Sequence, residues 1–249
     1  MQQYGDNDGD DVIYETHNGF VKSVAPKEKL NVNFPGCTLP PHDPNCRCQI
    51  KVVTPEMVLA EVSHIRGYAT NIASVVQNTI ATEDGRGTIP LYSGLEKMFD
   101  AFKAAHQSGN KVILVGNGGS SAICSHIAID FCKNVGIRAV SLNDFPSLTC
   151  LSNDFGYEHV FAKQVEYHAQ IGDCLVCIST GGKSPNILNA IKAFGNKGYT
   201  FTFSGMKPDN ELRKTGYINF YSPSNDYGIV EIAHMTLLHS LSPCTVETN

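Results

Sequence analysis

The 249-residue chain has no long hydrophobic run: its longest apolar stretches, at 112–115 and 174–178, are far too short to span a bilayer. It also lacks an excess of basic residues, since 19 Lys and Arg stand against 24 Asp and Glu for a formal net charge of -5. This acidic balance argues against a protein that wraps nucleic acid electrostatically. The first residues, MQQYGDND, include no basic residue and precede no apolar stretch, so we expect no secretory signal peptide.

The cysteines point to a reducing compartment. The chain has nine of them, an odd number. Most of the scattered ones stand within apolar segments, which favours buried free thiols over disulfides. The scattered cysteines are Cys124, Cys132, Cys150, Cys174, Cys177 and Cys244. We therefore expect a cytoplasmic protein.

The N-terminal residues differ in composition from the rest of the chain. Residues 1–54 are rich in Asp, Asn, Pro and Gly and follow neither a helical nor a strand period, so we predict a mostly irregular extension before a single domain at 55–249. Four soft ligands within the extension could bind a zinc ion: Cys37, His42, Cys46 and Cys48. Their spacing is not that of a standard zinc finger, and the alternative is a flexible tail with incidental cysteines.

Helices and strands alternate after residue 54. The patterns predict helices at about 54–81, 91–107, 120–134, 157–169, 185–195 and 229–241. Five apolar runs predict buried strands at 111–115, 138–142, 173–179, 199–203 and 217–221. Buried strands separated by helices are typical of a parallel sheet covered on both faces. The predicted fold class is therefore α/β, a three-layer α/β/α arrangement around a five-stranded parallel sheet.

Two similar turns follow the first and third predicted strands, GNGGSS at 116–121 and STGGKS at 179–184. Glycines allow a tight bend, serines supply hydroxyl donors, and the start of a helix adds free N–H groups, so each turn can bind an anion. Ligands of open parallel sheets bind where the strand order reverses, which favours a phosphorylated small molecule over glycines and serines that merely make turns. Neither nucleotide motif is present, because Ser121 and Cys177 stand where those motifs require glycine.

Ionisable residues cluster on two of the predicted helices. His126 and Asp130 are four residues apart and share a helix face, while the closing helix carries Glu231, His234 and His239. Glu231 and His239 are separated by about 12 Å along a straight helix, too far for both to bind one ion. They could still line one cleft or act across a subunit interface. The combination favours a functional site over structural histidines.

Four ordered motifs resemble the sugar isomerase (SIS) domain family, and most of all its phosphoheptose isomerases. They are VGNGGSSAICSHIAID, LSNDFGYEHVFAKQV, GDCLVCISTGGKSPNILNAIKA and GIVEIAHMTLLH, within residues 57–243. The resemblance implies a flavodoxin-like fold and a homotetramer with active sites at subunit interfaces. It also implies isomerisation of sedoheptulose 7-phosphate to D-glycero-D-manno-heptose 7-phosphate, for lipopolysaccharide or capsule biosynthesis.

The resemblance also implies site residues by position. Substrate would be bound by Asn117, Gly118, Ser120, Ser121, Asp154, Ser179, Thr180, Lys183 and Ser184. A divalent metal, zinc, would be bound by His126, Asp130, Glu231 and His239. Asp130 and His239 would be the catalytic residues. The chain departs from the family pattern at Asp130 (usually Glu), Glu231 (often Gln), Gly181 (Ser) and Lys183 (Asn).

The departure at Asp130 matters most, because aspartate is one methylene shorter than glutamate and its carboxylate retreats by about 1.5 Å. Three outcomes are open: a remodelled cleft, an Asp130 that mainly binds metal while His239 transfers the proton, or lost activity. The favoured function is an aldose–ketose isomerase that works through an enediol. The alternative is a non-catalytic SIS module that binds a sugar phosphate or a protein partner.

Overall fold

The computed structural model describes residues 13–17, 20–24, 55–84 and 87–242, and the chain divides into two units, residues 1–69 and 70–249. In the first unit, β1 (Ile13–His17) and β2 (Phe20–Val24) form an antiparallel hairpin. The expectation of a mostly irregular extension missed this hairpin, although Asn-Gly at 18–19 is a sequence pair typical of hairpin turns.

Two predictions about the extension remain as they were. The candidate zinc ligands Cys37, His42, Cys46 and Cys48 lie outside the described residues. The boundary between residues 54 and 55 stays a prediction. Helix α1 covers Pro55–Gln77 and ends four residues earlier than predicted.

One seven-stranded sheet organises the second unit, in the order β4-β3-β9-β8-β7-β5-β6. The strands are β3 (Ile80–Glu83), β4 (Gly87–Ile89), β5 (Val112–Gly116), β6 (Ala139–Ser141), β7 (Cys174–Ser179), β8 (Thr200–Ser204) and β9 (Ile218–Tyr221). Strands β5 to β9 are parallel and are the five predicted strands. The prediction missed β3 and β4, which extend the sheet antiparallel to β9.

Helices cover both faces of this sheet, which confirms the three-layer α/β/α class. They are α2 (Leu91–Gln107), α3 (Gly119–Asp130), α4 (Phe145–Phe155), α5 (Val160–His168), α6 (Pro185–Phe194) and α7 (Tyr227–His239). One apolar cluster joins the sheet to α2, α3 and α7, and a second joins it to α5 and α6. Helix α4 was not predicted, and none of its side chains is fully buried.

Strand order reverses between β5 and β7, and this reversal positions the site. From β5 the chain passes through α3 to β6 on one side, and later returns to β7 on the other side of β5. Because α3 and α6 lie on opposite faces, the two helices begin at the carboxyl ends of β5 and β7, which is where open parallel sheets bind ligands. Gly116 pairs with Ile178, so the two strands end side by side and the two Gly-Ser turns are neighbours.

The described cysteines are all free thiols. Cys124, Cys174 and Cys177 are buried as predicted, whereas Cys132 and Cys150 are exposed. Burial raises the pKa of Cys174 to about 12, so this thiol stays protonated. Among the described residues, no helix combines the length and apolar character needed to cross a membrane.

Candidate functional site

The first turn is built by glycines that no larger residue could replace. Gly118 precedes α3 with a φ of 53°, a conformation that L side chains rarely adopt. A Cβ on Gly116 would lie 2.7 Å from the backbone of Ser120, so a side chain there would push the start of α3 away. Ser120 is 3% exposed, and the hydroxyl of Ser121 accepts a hydrogen bond of 2.9 Å from Asn143.

The second turn presents a compact group of hydroxyls. Ser179 and Thr180 are 5% exposed, and the hydroxyl oxygens of Ser179 and Ser184 lie 3.2 Å apart. Gly182 has a φ of 63°, and a Cβ there would collide with the side chain of Asn210. Lys183 is exposed at the rim of the turn, where its charge can attract an anion.

A hydrogen-bonded network joins the first turn to the start of α6, which directly follows the second turn. Asn117 of the first turn and Asn186 at the start of α6 exchange two amide hydrogen bonds, of 2.9 and 2.8 Å. The hydroxyl of Tyr157 donates to the same Oδ1 atom of Asn117 at 2.8 Å. Sequence reasoning placed Asn117 at the site but missed Asn186 and Tyr157, although both stand inside the quoted family motifs.

Asp154 lies at the end of α4 and is exposed. Its Oδ1 accepts a 2.9 Å hydrogen bond from Asn153, and the Cys150 thiol lies 3.7 Å from its Oδ2. Tyr157 follows three residues later and contacts Asn117, so the segment that carries Asp154 is tied to the first turn. The carboxylate of Asp154 remains accessible to a ligand.

Two imidazoles converge on one carboxylate at the far end of α3. The Oδ2 atom of Asp130 lies 3.4 Å from Nε2 of His126 and 3.4 Å from Nδ1 of His239. The two imidazole rings have their centroids 4.9 Å apart. Asn134 donates a 3.3 Å hydrogen bond to the other oxygen of Asp130. Asp130 is 17% exposed while both histidines are more open, so the cluster can be reached from solvent.

Glu231 stands apart from this cluster within one chain. Its carboxylate lies against Gly119 at the start of α3, so closely that a Cβ on Gly119 would overlap it. Because Glu231 neighbours Gly119 and His239 neighbours Asp130, α3 and α7 run side by side in the same direction. The start of α7 therefore lies against the start of α3, and the end of α7 lies against the end of α3.

The chemistry of the cluster fits a divalent metal. Ligand atoms of His126, Asp130 and His239 all lie within 4.8 Å of one another. Two imidazole nitrogens and one carboxylate oxygen are a donor set that zinc uses in catalytic sites, with a fourth position left for water or substrate. The described residues thus offer three of the four predicted ligands together.

His234 does not belong to the site, although the sequence placed it beside Glu231 and His239. It is fully buried against the ring of Phe203, with centroids 5.7 Å apart, and its Nε2 lies 3.1 Å from the carbonyl oxygen of Ser204. Burial lowers its pKa to about 4, so it is neutral at pH 7. His234 is a structural histidine that anchors α7 to the end of β8.

Known proteins resemble this chain in both sequence and structure. The SIS domain matches residues 67–201. A phosphoheptose isomerase from Burkholderia pseudomallei is 37% identical over 181 residues, or 69% of this chain and 89% of the relative. One from Citrifermentans bemidjiense is 34% identical over 153 residues, or 59% of this chain and 78% of the relative. The structure of phosphoheptose isomerase from Neisseria gonorrhoeae shares the fold, with a TM-score of 0.64 at 24% identity, over 76% of this chain and 99% of that one.

Proposed function

The chain belongs to the SIS domain family, and we propose that it is a sugar-phosphate isomerase that converts sedoheptulose 7-phosphate into D-glycero-D-manno-heptose 7-phosphate. The observation that carries the proposal is the convergence of His126 and His239 on the carboxylate of Asp130, each at 3.4 Å. A module that only bound sugar phosphates would need the two turns but not this cluster. Acid–base groups placed so closely suit an enzyme that moves protons.

The two turns supply the phosphate site of this proposal. Ser179, Thr180 and Ser184 offer hydroxyl groups, and the N-terminus of α6 adds partial positive charge. From the first turn, Ser120 and Ser121 extend the same donor surface, while Gly118 lets the backbone approach the ligand. Lys183 adds a point charge at the rim, and Asn117 and Asp154 would line the sugar.

The reaction transfers one proton between two neighbouring carbons. A base removes a proton from C1 of the ketose, beside the C2 carbonyl, and leaves a cis-enediolate. Return of that proton to C2, with transfer of a hydroxyl proton from O1 to O2, completes the aldose. We assign these transfers to Asp130 and His239, whose facing atoms lie 3.4 Å apart. General acid–base catalysis of this kind contributes about 100- to 10,000-fold.

A zinc ion fits the donor set of His126, Asp130 and His239 and would supply Lewis-acid polarisation of the carbonyl when bound. Glu231 is the fourth ligand in this proposal. Since it lies at the opposite end of α7 from His239, we propose that it reaches a metal site only across a subunit interface.

Helix geometry supports an active site shared between subunits. Asp130 is ten residues beyond Ser120, which places it about 15 Å further along α3. The eight bonds from C1 to phosphorus in an extended heptose 7-phosphate span only about 10 Å. With a contact of about 3 Å added at each end, one substrate would have to be fully extended to reach from the turns to the cluster along α3 of the same chain. We propose a homotetramer in which the turns of one protomer face the cluster of another.

The cellular setting completes the proposal. The free thiols Cys124, Cys174 and Cys177 suit the reducing cytoplasm. The product would enter lipopolysaccharide or capsule biosynthesis, and no nucleic acid or membrane partner is part of the proposal.

The test is isomerase turnover of sedoheptulose 7-phosphate by the full chain. Asp130→Asn and His239→Ala should each lower kcat at least 100-fold, because each removes a proton-transfer group. His168→Ala, which changes an exposed histidine at the end of α5, is the matched control and should retain activity. Turnover that survives both site changes would refute these roles. Thermal stabilisation of the wild type by the heptose phosphate without any turnover would favour the non-catalytic module.

A further inference from the structure

Asn117 is held by partners that no substrate role explains. Its Oδ1 atom accepts two hydrogen bonds, from Asn186 at 2.8 Å and from the hydroxyl of Tyr157 at 2.8 Å. Its Nδ2 donates to Oδ1 of Asn186 at 2.9 Å. The amide oxygen is therefore fully used within the protein. What Asn117 can offer a sugar is at most its remaining N–H.

These three side chains come from three separate parts of the site. Asn117 belongs to the turn after β5, Asn186 to the first turn of α6, and Tyr157 to the short 3₁₀ helix after α4. Asn186 is 2% exposed, so its amide can find partners only within the protein. Its reciprocal pair with Asn117 links the starts of α3 and α6 at the point where the strand order reverses.

We propose that Asn186 and Tyr157 are positioning residues, which through Asn117 fix the two anion-binding turns at the spacing that one phosphate group requires. The inference rests on the proposed function, since it assumes that both turns contact the same ligand. The donors of an anion site bind well only when they are held at their final distances before the ligand arrives. A buried amide pair with a phenol on its acceptor supplies that rigidity without touching the ligand.

The positioning role predicts a particular kinetic signature. Looser turns weaken the binding of substrate and transition state alike, so KM should rise while kcat changes little. Loss of one hydrogen bond corresponds to about a three- to tenfold change in affinity. A residue that only stabilised the fold would lower the melting temperature and leave KM unchanged.

The sharpest variant is Tyr157→Phe, because it removes one hydroxyl from a ring that is 54% exposed and leaves the packing intact. It should raise the Kd for inorganic phosphate and the KM for sedoheptulose 7-phosphate about three- to tenfold, with an unchanged melting temperature. Tyr167→Phe is the matched control: it removes a hydroxyl from a ring that is 61% exposed on α5, and it should leave both constants unchanged.

A second variant tests the amide pair. Asn186→Asp keeps an acceptor for Asn117 but loses the donor to its Oδ1, so it should raise the same two constants. Because Tyr157 and Asn186 donate to one atom, the double variant should be non-additive.

Phosphate binding and turnover separate this inference from the proposed function. If the wild type binds phosphate but isomerises nothing, and Tyr157→Phe weakens phosphate binding, the positioning role is supported and the isomerase is refuted. If the wild type isomerises the substrate, and both variants keep the wild-type Kd for phosphate and KM for substrate, the positioning role is overturned and the isomerase stands. A wild type that binds neither probe would refute both.

Discussion

Acid should destabilise this protein through His234 on α7. Its ring is fully buried, Nε2 lies 3.1 Å from the carbonyl oxygen of Ser204, and Nδ1 has no hydrogen-bond partner among the described residues. Burial lowers its pKa to about 4, and the hydrogen bond to Ser204 opposes that shift only in part. A proton on Nδ1 would place an unpaired charge in the core.

The size of the effect follows from the two pKa values. In the unfolded chain a histidine has a pKa of about 6.5, so between pH 6.5 and pH 4 the unfolded state binds a proton that the native state does not. The stabilising contribution is complete above pH 6.5 and is lost as pH falls toward 4. Each pH unit costs about 1.4 kcal/mol, which amounts to about 3 kcal/mol over the whole interval.

Urea unfolding at pH values from 4 to 7.5 measures this contribution as a difference between wild type and His234→Gln. The glutamine amide can still donate to the carbonyl of Ser204 but does not titrate. On acidification, the free energy of unfolding should therefore fall by about 3 kcal/mol less in the variant than in the wild type. His168→Gln, at an exposed histidine, should follow the wild type. An NMR titration of the wild type should give an apparent pKa below 5 for His234. Unfolding free energies of wild type and His234→Gln that change in parallel with pH, or a pKa near 6.5 for His234, would refute the reasoning.

Three glycine substitutions test the backbone, two at the site and one in α1. Gly119→Ala would force the carboxylate of Glu231 to move and should lower kcat/KM for sedoheptulose 7-phosphate by about 100-fold, since a displacement of about 1 Å has that effect; unchanged kinetics would separate Glu231 from the reaction. Gly182→Ala should lower the free energy of unfolding by about 1–3 kcal/mol in urea titrations, because φ is 63° and the Cβ meets Asn210; an equally stable variant would contradict this. Gly67→Ala, in α1 with nothing within 4 Å, should instead stabilise the protein by about 0.5–1 kcal/mol.

The sequence predicted the parallel strands because their environment imposes a simple pattern. Strands β5 and β7 are buried on both faces, so they read as continuous apolar runs. Strand β3 has no such pattern. Its Glu83 is 1% exposed and is neutralised by Lys97, whose Nζ lies 2.7 Å away. Glu83 can be buried because Lys97, fourteen residues further along the chain, pairs with it, and the sequence alone does not reveal that pairing.

Helix α4 was missed for a different reason. It has no fully buried side chain, although Phe145, Leu148, Leu151 and Phe155 are spaced at a helical period and Leu148 and Leu151 pack against the core. Its start was nevertheless encoded: Asp144 accepts a hydrogen bond of 3.2 Å from the backbone N–H of Ser147, and Pro146 stands in the first turn. Both the capping residues and the apolar spacing were available signals, and neither was used.

Part of the site follows from the local sequence, and part depends on how distant elements pack together. The pair His126 and Asp130 follows from helical spacing within α3. Its meeting with His239 depends on the parallel packing of α3 and α7, which no local pattern contains. Likewise, Asn117 and Asn186 are 69 residues apart and meet only because β5 and β7 are adjacent.

The short side chain of Asp130 is accommodated by what surrounds it. A carboxylate that retreats by about 1.5 Å would leave a cluster built for glutamate incomplete. Here Oδ2 still lies 3.4 Å from both imidazoles, because α7 brings His239 to the end of α3. The backbone then changes to a π-helical turn at Phe131–Val135, which follows Asp130 directly, and Asn134 of that turn bonds the other carboxylate oxygen. Each oxygen of Asp130 thus has a polar neighbour: the two imidazoles face Oδ2, and Asn134 donates to Oδ1.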